Sequence, residues 1–147
     1  MTRFIFLFGL LALACSAFAA DSPKLELERR APDFELKDQF GREWKLADLE
    51  GGVVVVVAAN PKSGRAMGPW VDNLKTKYEG KVHILSLMDL HTVPGIGRGF
   101  ARGRIKKETK DPVMLDFWGP TSKAYLVNND NPVVVVIAQK GLSLIHI

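Results

Sequence analysis

The chain has 147 residues, 47% of them hydrophobic, and carries a formal charge of +4 from 20 basic and 16 acidic residues. That length holds one domain, the apolar share supplies a core, and so small a basic surplus gives no sign of a nucleic-acid partner. A single cysteine, Cys15, excludes an internal disulfide.

Taken in order, Arg3 and the apolar run at 4–14, "FIFLFGLLALA", precede small residues at Ala17 and Ala19. This is the layout of a secretory signal peptide, residues 1–19, and the run is shorter than the ~20 residues a membrane span needs. The competing reading is a lipid anchor at Cys15, because "ALAC" loosely fits a lipid-attachment box in which Leu13 is bulky. Cleavage after Ala19 leaves a mature chain with no thiol.

Residues 20–30 form a polar lead-in. Phe34 and Leu36 then alternate with charges, residues 38–41 are a turn cluster, and Trp44 and Leu46 alternate again, which predicts a β-hairpin. Residues 53–58 are apolar without alternation, as in a strand covered on both faces. Helical spacing follows at Met67, Trp70 or Val71, Leu74 and Tyr78, with Ser63 as the expected N-cap and Gly80 as the stop. Met67, Trp70 and Tyr78 are therefore expected in the core. A second covered strand at 81–87 completes a βαβ unit, which requires a parallel pair and a right-handed crossover.

Residues 91–111 read as a Gly-rich turn and a short basic helix, in which Gly99 and Gly103 favour a mobile loop. A short strand is expected at 112–116, a helical turn or two from Thr121, and a central strand after Pro132 that ends in a turn at 139–141. The tail, "LSLIHI" at 142–147, is what CTG TCT CTT ATA CAC ATC encodes, a transposon-end adaptor of sequencing libraries. The natural sequence is accordingly expected to run on differently after Gly141; a genuine apolar strand is the alternative.

The order of motifs resembles the redoxin and peroxiredoxin domains. "APDFELKDQFGREWKLADLEG" looks like their opening, "VVVVVAANPKSGRAM" occupies the strand-to-helix position of their active site, and "DFWGPTSKAYLVNNDNPVVVVIAQKG" is similar to their later segment. Within that group, "NPKSGR" and "VPGIGRGFARGRI" resemble the YtfJ family of periplasmic proteins, although a proline before the late strand is not expected in every member. The resemblance implies an α/β, thioredoxin-like domain over residues 31–141. Its central mixed sheet is flanked by helices and preceded by an N-terminal hairpin, and its C-terminal end is cut short. It also implies a periplasmic location.

In thiol-active members of that fold the cysteine sits at a helix N-terminus, where unpaired N–H groups and the dipole favour the thiolate. By position the usual CxxC pair falls on Pro61 and Gly64, with Lys62 and Ser63 between them. Neither Pro nor Gly holds a nucleophile, and Ser63 has no base beside it in sequence, although His91, after the neighbouring strand, could approach in space. No catalytic residue is assigned. Free N–H groups with Lys62 and Arg65 could instead hold a carboxylate or phosphate; plain capping with solvated basic side chains is the alternative. Pro132 stands where the fold carries a cis proline; a cis Asn131–Pro132 bond would expose backbone for an extended peptide, whereas a trans proline would simply open a strand. The candidate ligand-binding residues are thus Pro61, Lys62, Ser63, Gly64, Arg65, Asn131 and Pro132.

Other constellations weigh less. "GIGRGF" lacks GxGxxG spacing and an acidic ribose ligand, so no dinucleotide or other cofactor is expected. Arg98, Arg102, Arg104, Lys106 and Lys107 make a basic patch, read as a solvated helix face rather than a dock for an acidic partner or membrane. Asp89 and His91 lie two apart without a third ligand, so no metal site is assigned. His83 is taken as structural, and Phe117 and Trp118 as packed. The functional expectation is an exported, non-catalytic binding or accessory protein that holds a peptide, a protein or a small anion. The alternative is a thiol or peroxide oxidoreductase of the redoxin class.

Overall fold

The computed structural model describes residues 29–49, 51–128, 131–137 and 142–146. The chain forms β1 (Arg29–Arg30), β2 (Glu35–Lys37), β3 (Glu43–Lys45), a 3-10 turn at Leu46–Leu49, β4 (Val54–Ala59), α1 (Gly64–Tyr78) and β5 (His83–Asp89). A second 3-10 turn at Gly95–Gly97 leads to α2 (Arg98–Glu108), β6 (Val113–Asp116), α3 (Pro120–Ala124), β7 (Val133–Ile137) and β8 (Leu142–His146). The expected signal peptide with Cys15, most of the lead-in and the turn at 139–141 lie outside the described residues.

All six residues of β4 are buried, so neither face of this strand can meet water. The consequence is a central position. The sheet order is β1-β8-β7-β4-β5-β6, with β5 parallel to β4, β6 parallel to β5, and β7 antiparallel to β4 on the other side. Alternate residues of β4 enter two separate cores. Val55, Val57 and Ala59 meet Met67 and Val71 of α1, with Ala101 and Ile105 of α2 packed against the same cluster. Val54, Val56 and Ala58 meet Phe34, Tyr125 and Met114, with Leu36, Trp44 and Leu46 of the hairpin region on the outside. The expected mixed sheet, flanking helices and N-terminal hairpin are all present. The sheet also extends beyond 31–141 at both ends, because β8 pairs with β7 and β1 pairs with β8.

The β2–β3 hairpin is fixed by its turn. The buried Asp38 carboxylate accepts from the N–H groups of Phe40 and Arg42 and from the Trp44 indole, and Gly41 takes the left-handed φ of +90° that the turn requires. Gln39 then clamps the hairpin to the sheet edge, donating to the Asp111 carbonyl and accepting from the Val113 N–H.

Three expectations change. Residues 98–108 form a continuous helix despite Gly99 and Gly103, because packing of Ala101 and Ile105 outweighs a helix cost of about 1 kcal/mol per glycine. Trp70 and Tyr78 are not core: they remain 43% and 36% exposed, and Val71 and Met67 are the α1 residues turned inward. Trp118 is 78% exposed rather than packed, while its neighbour Phe117 is buried.

Tyr125 ties the segment after α3 to the lead-in, its hydroxyl donating to the Pro32 carbonyl at 2.7 Å. Burial, and secondarily the nearby Asp33 carboxylate, raise its pKa above the usual phenol value. The unfolded chain therefore releases this proton near pH 10 while the folded chain retains it, so stability is intact below about pH 10 and falls as pH rises further. Tyr125→Phe should lose about 1 kcal/mol at pH 7 in urea unfolding. It should also flatten the alkaline limb relative to the parent chain.

Candidate strand-end site

β4 is apolar along its whole length and meets its first polar side chain only where it stops. Of the parallel strands, β5 and β6 end on Asp89 and Asp116 and Asn60 directly follows β4, and all three residues are buried. Each turns its side chain back onto the N–H two residues further on, an Asx turn that satisfies the backbone where the ladder ends. Asn60 Oδ1 accepts from Lys62 N–H at 2.8 Å and from Ser63 N–H at 3.1 Å. Asp89 Oδ1 accepts from His91 N–H at 3.1 Å. Asp116 accepts from the N–H groups of Trp118, Gly119 and Ser122 and from the Ser122 hydroxyl.

At the start of α1 this corrects the expected cap. Ser63 occupies the N-cap position but makes no side-chain cap bond. Its hydroxyl instead accepts from the Asn60 N–H at 3.2 Å and lies 3.3 Å from Asn60 Oδ1. The residue that gathers the first N–H groups is Asn60, which sequence reasoning did not single out. Its signal was present: a lone amide after seven apolar residues. Ser63 is buried in this clasp, and Asn60 Oδ1 already takes two of the N–H groups from the expected anion site.

The other half of the expected cleft joins through the same residue. Asn60 Nδ2 donates to the Asn128 carbonyl at 2.7 Å, and the Asn131 N–H reaches Asn128 Oδ1 at 3.3 Å. Pro132 is buried and directly precedes Val133, which pairs with Ala58. No peptide bond among the described residues is cis, so Pro132 opens β7 in the trans form. Gly64 lies against Met88, whose Cε would stand 3.1 Å from an added Cβ. Pro61, Lys62 and Arg65 are exposed.

His91 is brought to this place by β5. A cavity of about 290 Å³ is lined by Asn60, Pro61, Lys62, Asp89, His91 and Thr92. A second, of about 440 Å³, is lined by Asp89, His91, Trp118, Gly119, Pro120, Lys123 and Val127. The imidazole Nδ1 stands 2.8 and 2.9 Å from the two Asp89 carboxylate oxygens. A carboxylate can only accept, so Nδ1 carries the hydrogen and Nε2 faces away from Asp89.

The basic patch is a separate structure on α2, and most of it is engaged locally. The Arg98 guanidinium stacks 3.9 Å from the Trp118 ring centroid and donates to the Phe117 carbonyl, Arg102 lies 5.8 Å from the Phe117 ring, and Arg104 pairs with Glu108. Lys106 lies 5.7 Å from the Phe40 ring. Lys107 is exposed on the same helix.

No family model matches the sequence, and no curated protein matches it significantly. Solved structures do. A protein described as the thiol:disulfide interchange protein DsbE of Chlorobium tepidum superposes with a TM-score of 0.64 at 24% identity, covering 84% of this chain and 85% of its own. The exposed lipoprotein thioredoxin Etrx1 of Streptococcus pneumoniae gives 0.63 at 19% identity, with 79% and 88% covered. The thioredoxin domain of a thiol-disulfide oxidoreductase from Bacteroides vulgatus gives 0.63 at 13% identity, with 84% and 89% covered. The chain has the thioredoxin-like fold. At these identities the likeness establishes the fold alone.

The clasp at α1 makes a ranked prediction. Asn60→Ala should cost about 1–2 kcal/mol in urea unfolding, because two N–H groups and the Asn128 carbonyl lose their partner. Ser63→Ala should cost less. The reverse order would restore the serine as the cap.

Proposed function

We propose that this chain is an exported thioredoxin-fold protein of the cell envelope that binds rather than exchanges electrons. Its cleft, with Pro61, Lys62, Ser63, Gly64 and Arg65 on one side and Asn131 and Pro132 on the other, holds a peptide, a protein or a small anion. The observation that carries this reading is chemical: Pro61 and Gly64 stand at the two places where the fold's thiols would be, and neither has sulfur. Cys15 falls in the segment read as a signal peptide, so cleavage at Ala19 would remove the last thiol. The YtfJ-like and redoxin-like motifs, and a domain spanning 31–141 with an adaptor-encoded tail, belong to the same proposal.

Export is supported by the leader-like start and by the Streptococcus pneumoniae neighbour, which is itself an exposed lipoprotein. Among the described residues no helix is long and apolar enough to cross a membrane. The second reading, a thiol or peroxide oxidoreductase, is favoured by the names of the structural neighbours, which describe thiol–disulfide chemistry.

Peroxide consumption and disulfide reduction separate the two. The chain processed after Ala19 should show no turnover above a heat-denatured control, and turnover would overturn the binding reading. The double substitution Pro61→Cys with Gly64→Cys should create a dithiothreitol-reversible disulfide and measurable disulfide exchange. A cysteine at position 64 needs only a small shift of the flexible Met88 methyl.

A further inference from the structure

We propose that the Asp89–His91 pair is the recognition centre of the cleft, and that it takes a small oxyanion, a carboxylate or a phosphate, on the imidazole Nε2 between Lys62 and Lys123. This rests on the reading of the cleft as a binding site, but it moves the contact from the helix N-terminus to the end of β5. At the helix N-terminus Asn60 Oδ1 already accepts from the N–H groups of Lys62 and Ser63.

Four observations point to His91. The ring is oriented from behind: Nδ1 donates to both oxygens of a buried carboxylate, which turns Nε2 outward, so that a proton taken up on Nε2 together with the anion is donated straight to it. Its position is enforced from the side. Gly119 has φ +85°, and an added Cβ would come within 2.9 Å of His91 Cβ, so the loop after β6 closes on the histidine at a distance only glycine permits. That loop is itself pinned by the fully buried Asp116, which accepts from the Gly119 N–H at 2.7 Å, while the Asp116 carbonyl accepts from Leu90 N–H.

The surroundings give the ligand's sign and size. His91 lines both cavities, one of which includes Lys62 and the other Lys123. Among the described residues the only acidic one lining either is Asp89, already occupied by the ring. A lining with a lysine on each side of the histidine favours a negative ligand, and a proton bound with it on Nε2 makes that contact charge-assisted. About 290 Å³ on the Lys62 side suits a small group rather than a nucleotide. The carboxyl ends of parallel strands are where open α/β sheets place ligands.

Inorganic phosphate and, separately, acetate can be titrated into the full chain at pH 5.5, with 1H–15N and ring 1H–13C spectra recorded. Saturable shifts are expected at the His91 ring and at the amides of Lys62 and Thr92. Saturation by phosphate alone assigns a phosphate ligand, by acetate alone a carboxylate, and by both an unselective oxyanion site. His91→Ala should weaken binding at least tenfold, and Lys62→Ala severalfold. His91→Gln, which keeps a neutral donor, should fall between His91→Ala and the parent. Absent or non-saturating shifts overturn the assignment. So do saturable shifts at residues 62–65 that persist in His91→Ala, and these would leave the cleft standing as a binding site. Redox turnover by the parent chain would contradict the proposed function without touching the His91 result.

Discussion

The structure depends on β4 being covered on both faces. Six buried residues, split between two cores, leave no point along the strand where a polar side chain can be accommodated. Burying a side chain such as valine contributes about 1.5–3 kcal/mol, so the sequence commits most of its stabilisation to a sheet with no chemistry on its faces. The buried carboxylates of β5 and β6 and the buried amide after β4 all stand where the strands stop. Asn60, Asp89 and Asp116 are each bonded to the turn that leaves its strand.

These three turns are the frame of the site. Asn60 shapes the entry to α1 and reaches across to Asn128, Asp89 holds His91, and Asp116 presses Gly119 against His91. A thioredoxin-like fold without sulfur at positions 61 and 64 thus still has an organised strand-end cleft. Its polar character comes from an amide, a carboxylate and an imidazole.

Much of this was legible before any coordinates. The alternation of Phe34, Leu36, Trp44 and Leu46 placed the hairpin, and the unbroken apolar runs placed β4 and β5 as covered strands. The site was less legible. Asp89 and His91 were visible as neighbours, yet linear spacing said only that no third metal ligand stood near, and the convergence of strand ends is a property of the sheet order. Asn60 was passed over because Ser63 fits the statistical profile of a cap, whereas here the amide three residues earlier reaches the N–H groups first. The basic segment reads as a short helix that Gly99 and Gly103 tilt toward a mobile loop, and packing of Ala101 and Ile105 decides for the helix. Trp118 finds its partner, Arg98, on a different element, which linear spacing does not show.

The histidine tautomer tests this arrangement most directly. A long-range 1H–15N correlation spectrum of the imidazoles, recorded at a pH where His91 is neutral, distinguishes a protonated Nδ1 from a protonated Nε2. Asp89 holding the ring as described gives the Nδ1–H form, and the Asp89→Asn chain loses that preference. A predominant Nε2–H form of His91 would contradict it, because the carboxylate would then face an unprotonated nitrogen and could not be what orients the ring.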